Sequence, residues 1–165
     1  MKLRACQPQD APVLAKLFTE SVRAIAAADY SPEQLEAWVP NPPDVAYWRE
    51  RLGALIVFVA EIDSEAAGFI SLDRDGHLDH LYVHAGFQRR GVALALYRRI
   101  EQEAMARGIR RIFTEASITA RPFFARVGFQ TIAPQEIERR GVSFTNFRME
   151  RLLPASEPDR GPKSA

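Results

Sequence analysis

The stretch best suited to chemistry is an apolar strand that runs into a short loop with two glycines and two arginines, after which a helix begins at Gly91. The first amides of a helix have no intrahelical acceptors and lie at the positive end of its dipole, so such a turn can hold a phosphate or pyrophosphate. Gly91 has no Cβ, so an anion can approach its backbone. No Lys-Ser or Lys-Thr follows the glycine, and the three-glycine dinucleotide fingerprint is missing. The sequence therefore predicts an anion site of another kind between Gln88 and Ala93.

The elements around this turn follow from apolar periodicity, capping residues and turn dipeptides. Their predicted order is a short opening strand, two or three helices up to Gly53, a three-strand antiparallel meander up to Val83, a helix from Gly91 to Arg107, a strand, a second helix, and a final hairpin turning at residues 139–141. This mixed order predicts an α+β sheet with helices on both faces.

Alternation along the strand before the turn sorts its side chains onto two faces. One face is predicted to carry His77, Asp79, Leu81 and Val83, and the other Leu78, His80 and Tyr82. His77 is a candidate base because the pKa of histidine lies near neutrality, and Asp79 lies two residues further along the same predicted face. The alternatives are a structural, hydrogen-bonded carboxylate and a merely exposed histidine.

Length and composition limit the other possibilities. The chain has 165 residues, and we expect a single domain over residues 1–153 and a disordered tail over residues 154–165, where Pro, Ser, Gly and charge dominate. With 22 basic and 21 acidic residues, nothing favours binding to nucleic acid. Cys6 is the only cysteine, and neither a signal peptide nor an apolar run of membrane-spanning length is present. We expect a cytoplasmic protein that does not bind membranes.

The turn resembles the Gln/Arg-x-x-Gly-x-Gly/Ala motif of the GNAT superfamily of acetyl-CoA-dependent N-acetyltransferases. In that family a helix, a strand, a second helix ending in an aromatic-x-x-x-Gly-Phe segment and a closing strand follow the turn. The same order is found here in residues 91–107, 111–115, 119–127 with Phe124-Ala-Arg-Val-Gly-Phe129, and 145–149. The resemblance covers roughly the second half of the chain. It implies the GNAT acyltransferase fold, whose central sheet is splayed and mostly antiparallel.

The resemblance also implies how acetyl-CoA would bind, without any metal. The pantothenate arm would pair with the backbone of the strand residues Leu81, Tyr82 and Val83, and the pyrophosphate would lie on the amides of Gln88, Arg89, Arg90, Gly91, Val92 and Ala93. Ser117 occupies the place where the family often has an asparagine that bonds pantetheine. Capping of the following helix is an equally good reading of Ser117.

Acyl transfer to an amine needs a neutral amine, a donor to the developing oxyanion and a proton for the thiolate. Following the family, Asp79 would bind the ammonium group or relay its proton, with His77 as a second candidate base. The N–H of Val83 would stabilise the oxyanion. At the place of the family's usual proton-donating tyrosine the chain has Phe124. A phenyl ring can pack on pantetheine but donates no proton, so Tyr82, Tyr97 or solvent would have to do so.

The acceptor pocket of this fold is walled by the first helices. Tyr30 and Trp38, with Tyr47 and Trp48, would give it an aromatic lining suited to an apolar group or a cation. The alternative is that these rings only pack the helices on the sheet.

The combined prediction is an N-acetyltransferase that moves the acetyl group of acetyl-CoA to a primary amine of a small molecule. Two alternatives stay open: a protein N-acetyltransferase, and a non-catalytic acyl-CoA-binding or sensing module on the same fold. A homodimer is compatible with the sequence but not required by it.

Overall fold

The computed structural model describes residues 1–39 and 41–154. From residue 155 onward, the predicted tail lies outside the described residues. The order of strands and α-helices in this part of the chain is β1 (Lys2–Ala5), α1 (Ala11–Ile25), α2 (Pro32–Trp38), α3 (Val45–Gly53), β2 (Ile56–Ile62), β3 (Glu65–Leu72), β4 (Leu78–Val83), α4 (Val92–Ala106), β5 (Arg111–Ser117), α5 (Arg121–Arg126), β6 (Gln130–Arg139) and β7 (Val142–Leu152).

Several boundaries follow from capping and turn chemistry. The helix α2 begins with a capping box in which Gln34 N–H donates to Ser31 Oγ at 3.1 Å and Ser31 N–H donates to Gln34 Oε1 at 2.9 Å. Arg140 and Gly141 have φ of 49° and 76° at the tip of the β6–β7 hairpin, where the turn was predicted. Local side-chain chemistry thus determines where these elements begin and turn.

The strands form two antiparallel sheets, in the orders β1-β2-β3-β4 and β5-β7-β6. They meet at a parallel bridge between His77 and Phe113. The helix α4 packs on one face of the first sheet, over Ile70, and α1 and α3 pack on the other, over Phe69. This is the splayed, mostly antiparallel sheet with helices on both faces that the sequence predicted. Among the described helices, none is long and apolar enough to cross a bilayer.

Candidate active site

A cleft of about 890 Å³ opens between the facing edges of β4 and β5. At its base the strands touch, since Phe113 N–H donates to the Gly76 carbonyl at 3.0 Å and Thr114 Oγ1 donates to the Leu78 carbonyl at 2.9 Å. Beyond Thr114, no hydrogen bond joins these two strands within residues 41–154. An extended ligand can therefore pair with strand backbone in the cleft.

Asp79 is the extra residue of a β-bulge in β4. Leu72 pairs with Leu78 and Ser71 pairs with His80, which leaves Asp79 without a partner on β3. The predicted alternation of faces is therefore wrong here: Leu78 lies in the core under α4, whereas Asp79 and His80 both contact side chains of α3. The bulge brings two consecutive polar side chains to the same side of the strand.

The backbone N–H of Val83 lies on the free edge of β4. His84 N–H donates to the Ala67 carbonyl at 2.9 Å, and hydrogen-bonded and non-hydrogen-bonded pairs alternate along an antiparallel ladder. The next pair, Val83 with Gly68, is thus non-hydrogen-bonded, and its Val83 N–H is directed away from β3. By the same alternation, Leu81 presents its backbone N–H and carbonyl to the cleft.

The predicted anion turn has the geometry of a phosphate site. Gly91 is left-handed at φ 77°, and a Cβ built on it would meet no atom within 4 Å. Ala95 N–H donates to the Gly91 carbonyl at 3.0 Å, and the N–H groups of residues 89–94 have no acceptor among the described residues. A set of unpaired amides with open space in front of it suits a phosphate group.

The first turn of α4 is packed tightly on β3. A Cβ on Gly68 would lie 2.7 Å from the carbonyl oxygen of Tyr82 and 3.1 Å from Val92 Cγ1, so the helix reaches this position only over glycine. Val92 is buried in this contact and Ala93 is half-buried, so both offer a ligand mainly their amides. The preceding side chains of the turn are exposed: Gln88, Arg89 and Arg90.

Asp79 lines the cleft and is paired with a cation of α3. Arg51 Nε and Nη2 donate to Asp79 Oδ2 at 2.9 and 2.8 Å. The ion pair raises the pKa of Arg51 above its ordinary value and fixes the orientation of the carboxylate. The role of Asp79 towards the amine stays a prediction, now with Arg51 as its positioning partner.

His80 is a buried, neutral histidine in the wall of the cleft. Its Nδ1 lies 2.7 Å from Ser71 Oγ and 3.3 Å from Asp79 Oδ2, and its ring packs 5.0 Å from that of Trp48. Burial lowers the pKa of His80 to about 4, although the charge of Asp79 opposes this shift. At neutral pH the ring carries no charge.

His77 and Glu115 form a second acid–base pair where the two sheets meet. His77 Nε2 lies 2.5 Å from Glu115 Oε2, and the imidazole stacks on Phe113 with ring centroids 5.1 Å apart. Of the two, Glu115 lines the cleft. His77 would therefore act on a ligand through Glu115.

The aromatic residues predicted near the sulfur differ in their access to it. Phe124 is buried at the cleft wall against Phe129, with ring centroids 5.1 Å apart. Tyr82 also lines the cleft, and burial raises its pKa above the ordinary value. Tyr97 does not line the cleft, and its buried hydroxyl donates to Glu101 Oε1 at 3.1 Å, so Tyr82 is better placed than Tyr97 to donate a proton there.

Ser117 and Tyr30 hold the loop at the end of β5. The Ser117 hydroxyl accepts a bond from Ala120 N–H at 3.0 Å and so closes the turn before α5. It does not cap the helix, because α5 begins at Arg121 with Ala120 as its N-cap residue, two residues later than the predicted segment 119–127. Tyr30 Oη accepts a bond from Ile118 N–H at 2.9 Å, and the Tyr30 side chain is 6% exposed. Both residues line the cleft, each with its oxygen already engaged.

The aromatic residues predicted at the acceptor end do pack against one another beside the cleft. Trp38 lies against Tyr30 and Phe144, with ring centroids 5.2 and 6.2 Å apart, and lines the cleft. Contact of Trp38 and Tyr30 with an acceptor stays a prediction. Trp48 is buried under α1, and Tyr47 is 56% exposed at the rim.

Two cleft residues of the β6–β7 hairpin were missed from sequence. Asn146 is 9% exposed, and its Oδ1 is buried without a hydrogen-bond partner among the described residues. Arg139 lines the cleft and makes no hydrogen bond or ion pair within the described part of the chain. An asparagine inside a β-rich run is unusual and could have signalled the first site. Nothing in the pattern distinguishes Arg139 from the neighbouring Arg140.

Comparisons with known proteins agree with this geometry. The model of the acetyltransferase (GNAT) domain family matches residues 26–151. The chain is 39% identical over 149 residues to the uncharacterized N-acetyltransferase YafP of Escherichia coli strain K12, covering 90% of this chain and 94% of YafP. A GCN5-related N-acetyltransferase from Rhodopseudomonas palustris superposes with a TM-score of 0.88 at 34% identity, over 92% of this chain and 95% of that one.

The fold also extends to more distant proteins. The PaiA N-acetyltransferase of Thermoplasma acidophilum, solved in complex with coenzyme A, superposes with a TM-score of 0.76 over 92% of this chain and 98% of its own. At 19% identity this likeness concerns the fold alone. Taken with the family match and the closer relatives, it leads to one assignment: the chain is an N-acetyltransferase of the GNAT family.

Proposed function

We propose that the protein transfers the acetyl group of acetyl-CoA to a primary amine of a small molecule. The observation that carries this proposal is the splayed edge of β4, where the Val83 N–H is directed away from β3, together with the unpaired amides of residues 89–94 at the start of α4. Strand backbone suits a pantetheine arm, and the α4 turn suits a pyrophosphate. The coenzyme A complex of PaiA, on the same fold, is consistent with this use of the cleft.

Each group around the cleft would take a separate step of the proposed reaction. The Val83 N–H would donate to the oxyanion as it develops, because it is fixed and has no competing acceptor. Asp79, oriented by Arg51, would hold the incoming ammonium group. Glu115, backed by His77 at 2.5 Å, would take its proton directly or through water. His80 suits this task poorly, since a pKa of about 4 makes it a weak base at neutrality.

The thiolate needs a different proton source from the tyrosine that is usual in the family. Phe124 has no hydroxyl and would serve by packing against the pantetheine. Tyr82 lines the cleft and carries its proton at neutral pH, although burial raises its pKa and so makes it a weaker acid. Tyr82 or solvent would therefore supply the proton.

A small acceptor is favoured over a protein because two contacts hold the acceptor end together. Arg140 of the hairpin donates to the Ala37 carbonyl, and Gln34 Nε2 donates to the Ser143 carbonyl at 3.0 Å. These bonds tie the β6–β7 hairpin to α2, and both elements contribute residues to the cleft wall. A compact amine would fit a cleft with a fixed wall more readily than a segment of a protein would.

The test has two parts. Acetyl-CoA should raise the melting temperature, because it would bind the native state alone. Release of the CoA thiol should then be measured with primary amines, polyamines, aminoglycosides, amino acids and lysine-containing peptides. The absence of any thermal shift at millimolar acetyl-CoA would refute the proposal. Tight binding without turnover on any amine would instead favour the sensing module, and turnover on peptides alone would favour a protein acetyltransferase.

A further inference from the structure

Charged side chains that line the cleft have partners, with Arg139 as the exception among the described residues. Arg51 pairs with Asp79, Glu115 lies against His77, and the remaining charges are bonded to backbone: Asp44 accepts from Tyr47 N–H and Arg140 donates to the Ala37 carbonyl. The charge of Arg139 nevertheless acts inside the cleft, because it opposes the effect of burial on the pKa of Tyr30 and of Tyr82. The side chain of Arg139 is exposed, so its guanidinium is hydrated and free to pair with an anionic group of a ligand.

Asn146 needs a hydrogen-bond donor rather than an anion, and it lies further along the same face of the β6–β7 hairpin. It pairs with Ser117 of β5, while Arg139 pairs with Val142 at the hairpin tip. Opposed residues of a ladder share a face, and so do alternate residues of a strand, so Asn146 and Arg139 lie on one face of the hairpin. The buried Asn146 Oδ1 has no partner among the described residues and needs a donor, such as an ammonium or amine N–H.

The surface between these two groups is apolar. Phe144 and Ile137 face each other in the β6–β7 ladder, and Trp38 packs on Phe144 from α2. The four residues from Asn146 to Val142 span about 13 Å of strand. Arg139 pairs with Val142, and its long side chain can reach back, so the gap between its guanidinium and Asn146 can be shorter than this. A ligand of small-molecule length can therefore reach both polar groups while its body lies on the rings.

From these three observations we infer that the acceptor is an amine that also carries a carboxylate, with Arg139 binding the carboxylate and Asn146 accepting a hydrogen bond from the amine. A carboxylate suits a guanidinium because two parallel N–H···O bonds can form. Both side chains are specificity-determining residues, and neither touches the acetyl group. The inference rests on the proposed function and adds the substrate class.

The test compares amines that differ only in their acid group. Phenylalanine with phenylalaninamide, and 4-(aminomethyl)benzoate with 4-(aminomethyl)benzamide, place the carboxylate at a short and a long distance from the amine. Affinity for the CoA-loaded protein is measured by calorimetry, and KM and kcat by CoA release. In at least one pair the carboxylate should bind roughly tenfold more tightly than the amide, and its KM should be lower by the same factor.

Variants of the protein then show which residue causes the preference for a carboxylate. Arg139→Gln should abolish the preference by raising KM for the carboxylate, with kcat little changed. Arg126→Gln removes the same charge at an exposed site outside the cleft and should keep the preference. Asn146→Leu should weaken both members of a pair equally, since it acts on the amine.

The outcomes separate this inference from the proposed function. Turnover of amines with no preference for carboxylates, or a preference that Arg139→Gln leaves intact, would overturn the inference and leave the acetyltransferase standing. Failure of all four compounds to bind would overturn it as well, whatever the result with acetyl-CoA. A missing acetyl-CoA thermal shift would instead remove the proposed function.

Discussion

Gly91→Glu tests the phosphate site most directly, with Gly91→Ala as its matched control. Both variants place an L-residue at φ 77°, a conformation that costs roughly 1–2 kcal/mol. The new Cβ meets no atom within 4 Å, so neither variant creates a clash. At 2–4 °C per kcal/mol for a chain of this size, both melting temperatures should fall by about 2–8 °C while the fold is kept.

Only the glutamate adds a charge. Two unit charges about 4 Å apart repel by about 1 kcal/mol in bulk water, and by more where the protein excludes water. A pyrophosphate carries two charges, so the loss should reach at least about 1.4 kcal/mol, or tenfold in affinity for acetyl-CoA. Calorimetric titration of the two variants side by side measures this difference, and added salt should narrow it. If Gly91→Ala and Gly91→Glu bind acetyl-CoA equally well while folded, the pyrophosphate lies elsewhere.

Four further predictions follow from the cleft. Asp79→Asn should lower turnover roughly a hundredfold and leave acetyl-CoA binding intact. Arg51→Gln keeps the charge of the Asp79 carboxylate but removes the side chain that orients it, so it tests the orientation alone. Full activity of Asp79→Asn would mean that this carboxylate is structural. Phe124→Tyr should raise turnover if thiolate protonation limits the rate, and an unchanged rate would point to Tyr82 or solvent. Because the pKa of His80 is about 4 when folded and 6.5 when unfolded, the unfolded chain binds more protons between these values. The contribution of His80 to the free energy of unfolding should therefore be fully present above pH 6.5 and fall by up to about 3 kcal/mol towards pH 4. Denaturant unfolding of His80→Gln should show a smaller loss of stability over this pH range. An equal loss in the variant and the parent protein would refute the assignment. Asn146→Leu should gain about 1 kcal/mol of stability, because it removes an unpaired buried oxygen; a lower melting temperature would mean that Asn146 has a partner in solution.

Local signals predicted most of the fold. The capping box of Ser31 and Gln34 and the turn at Arg140-Gly141 depend on residues within three positions of each other, so they can be read from the chain directly. The Gly91 turn is of the same kind, because its conformation and its exposed amides follow from one glycine before a helix. Such features need no knowledge of what packs against them.

The contacts that determine the chemistry of the cleft could not be predicted, because they join segments that are distant in sequence. Arg51 and Asp79 are 28 residues apart, and His77 and Glu115 are 38 apart, so no spacing rule joins them. The bulge at Asp79 reverses the predicted face of Leu78, because strict alternation fails wherever one strand carries an extra residue. The burial of Tyr97 could not be predicted for a similar reason, since it is decided by the packing of α4. The cytoplasmic location and the homodimer stay predictions.

If the donor lies along β4 and the Gly91 turn as proposed, Gly68 would set the length of donor that the protein can use. The contact at this glycine joins the β4 backbone to the first turn of α4, so the distance between the Val83 amide and the Gly91 turn is fixed by packing rather than by a loop. A donor whose thioester and phosphates are separated by the wrong number of bonds can satisfy one end only. On this proposal the protein would select donors by the distance between their thioester and phosphates, and Gly68→Ala should weaken the selection between long and shortened pantetheine thioesters without contacting either.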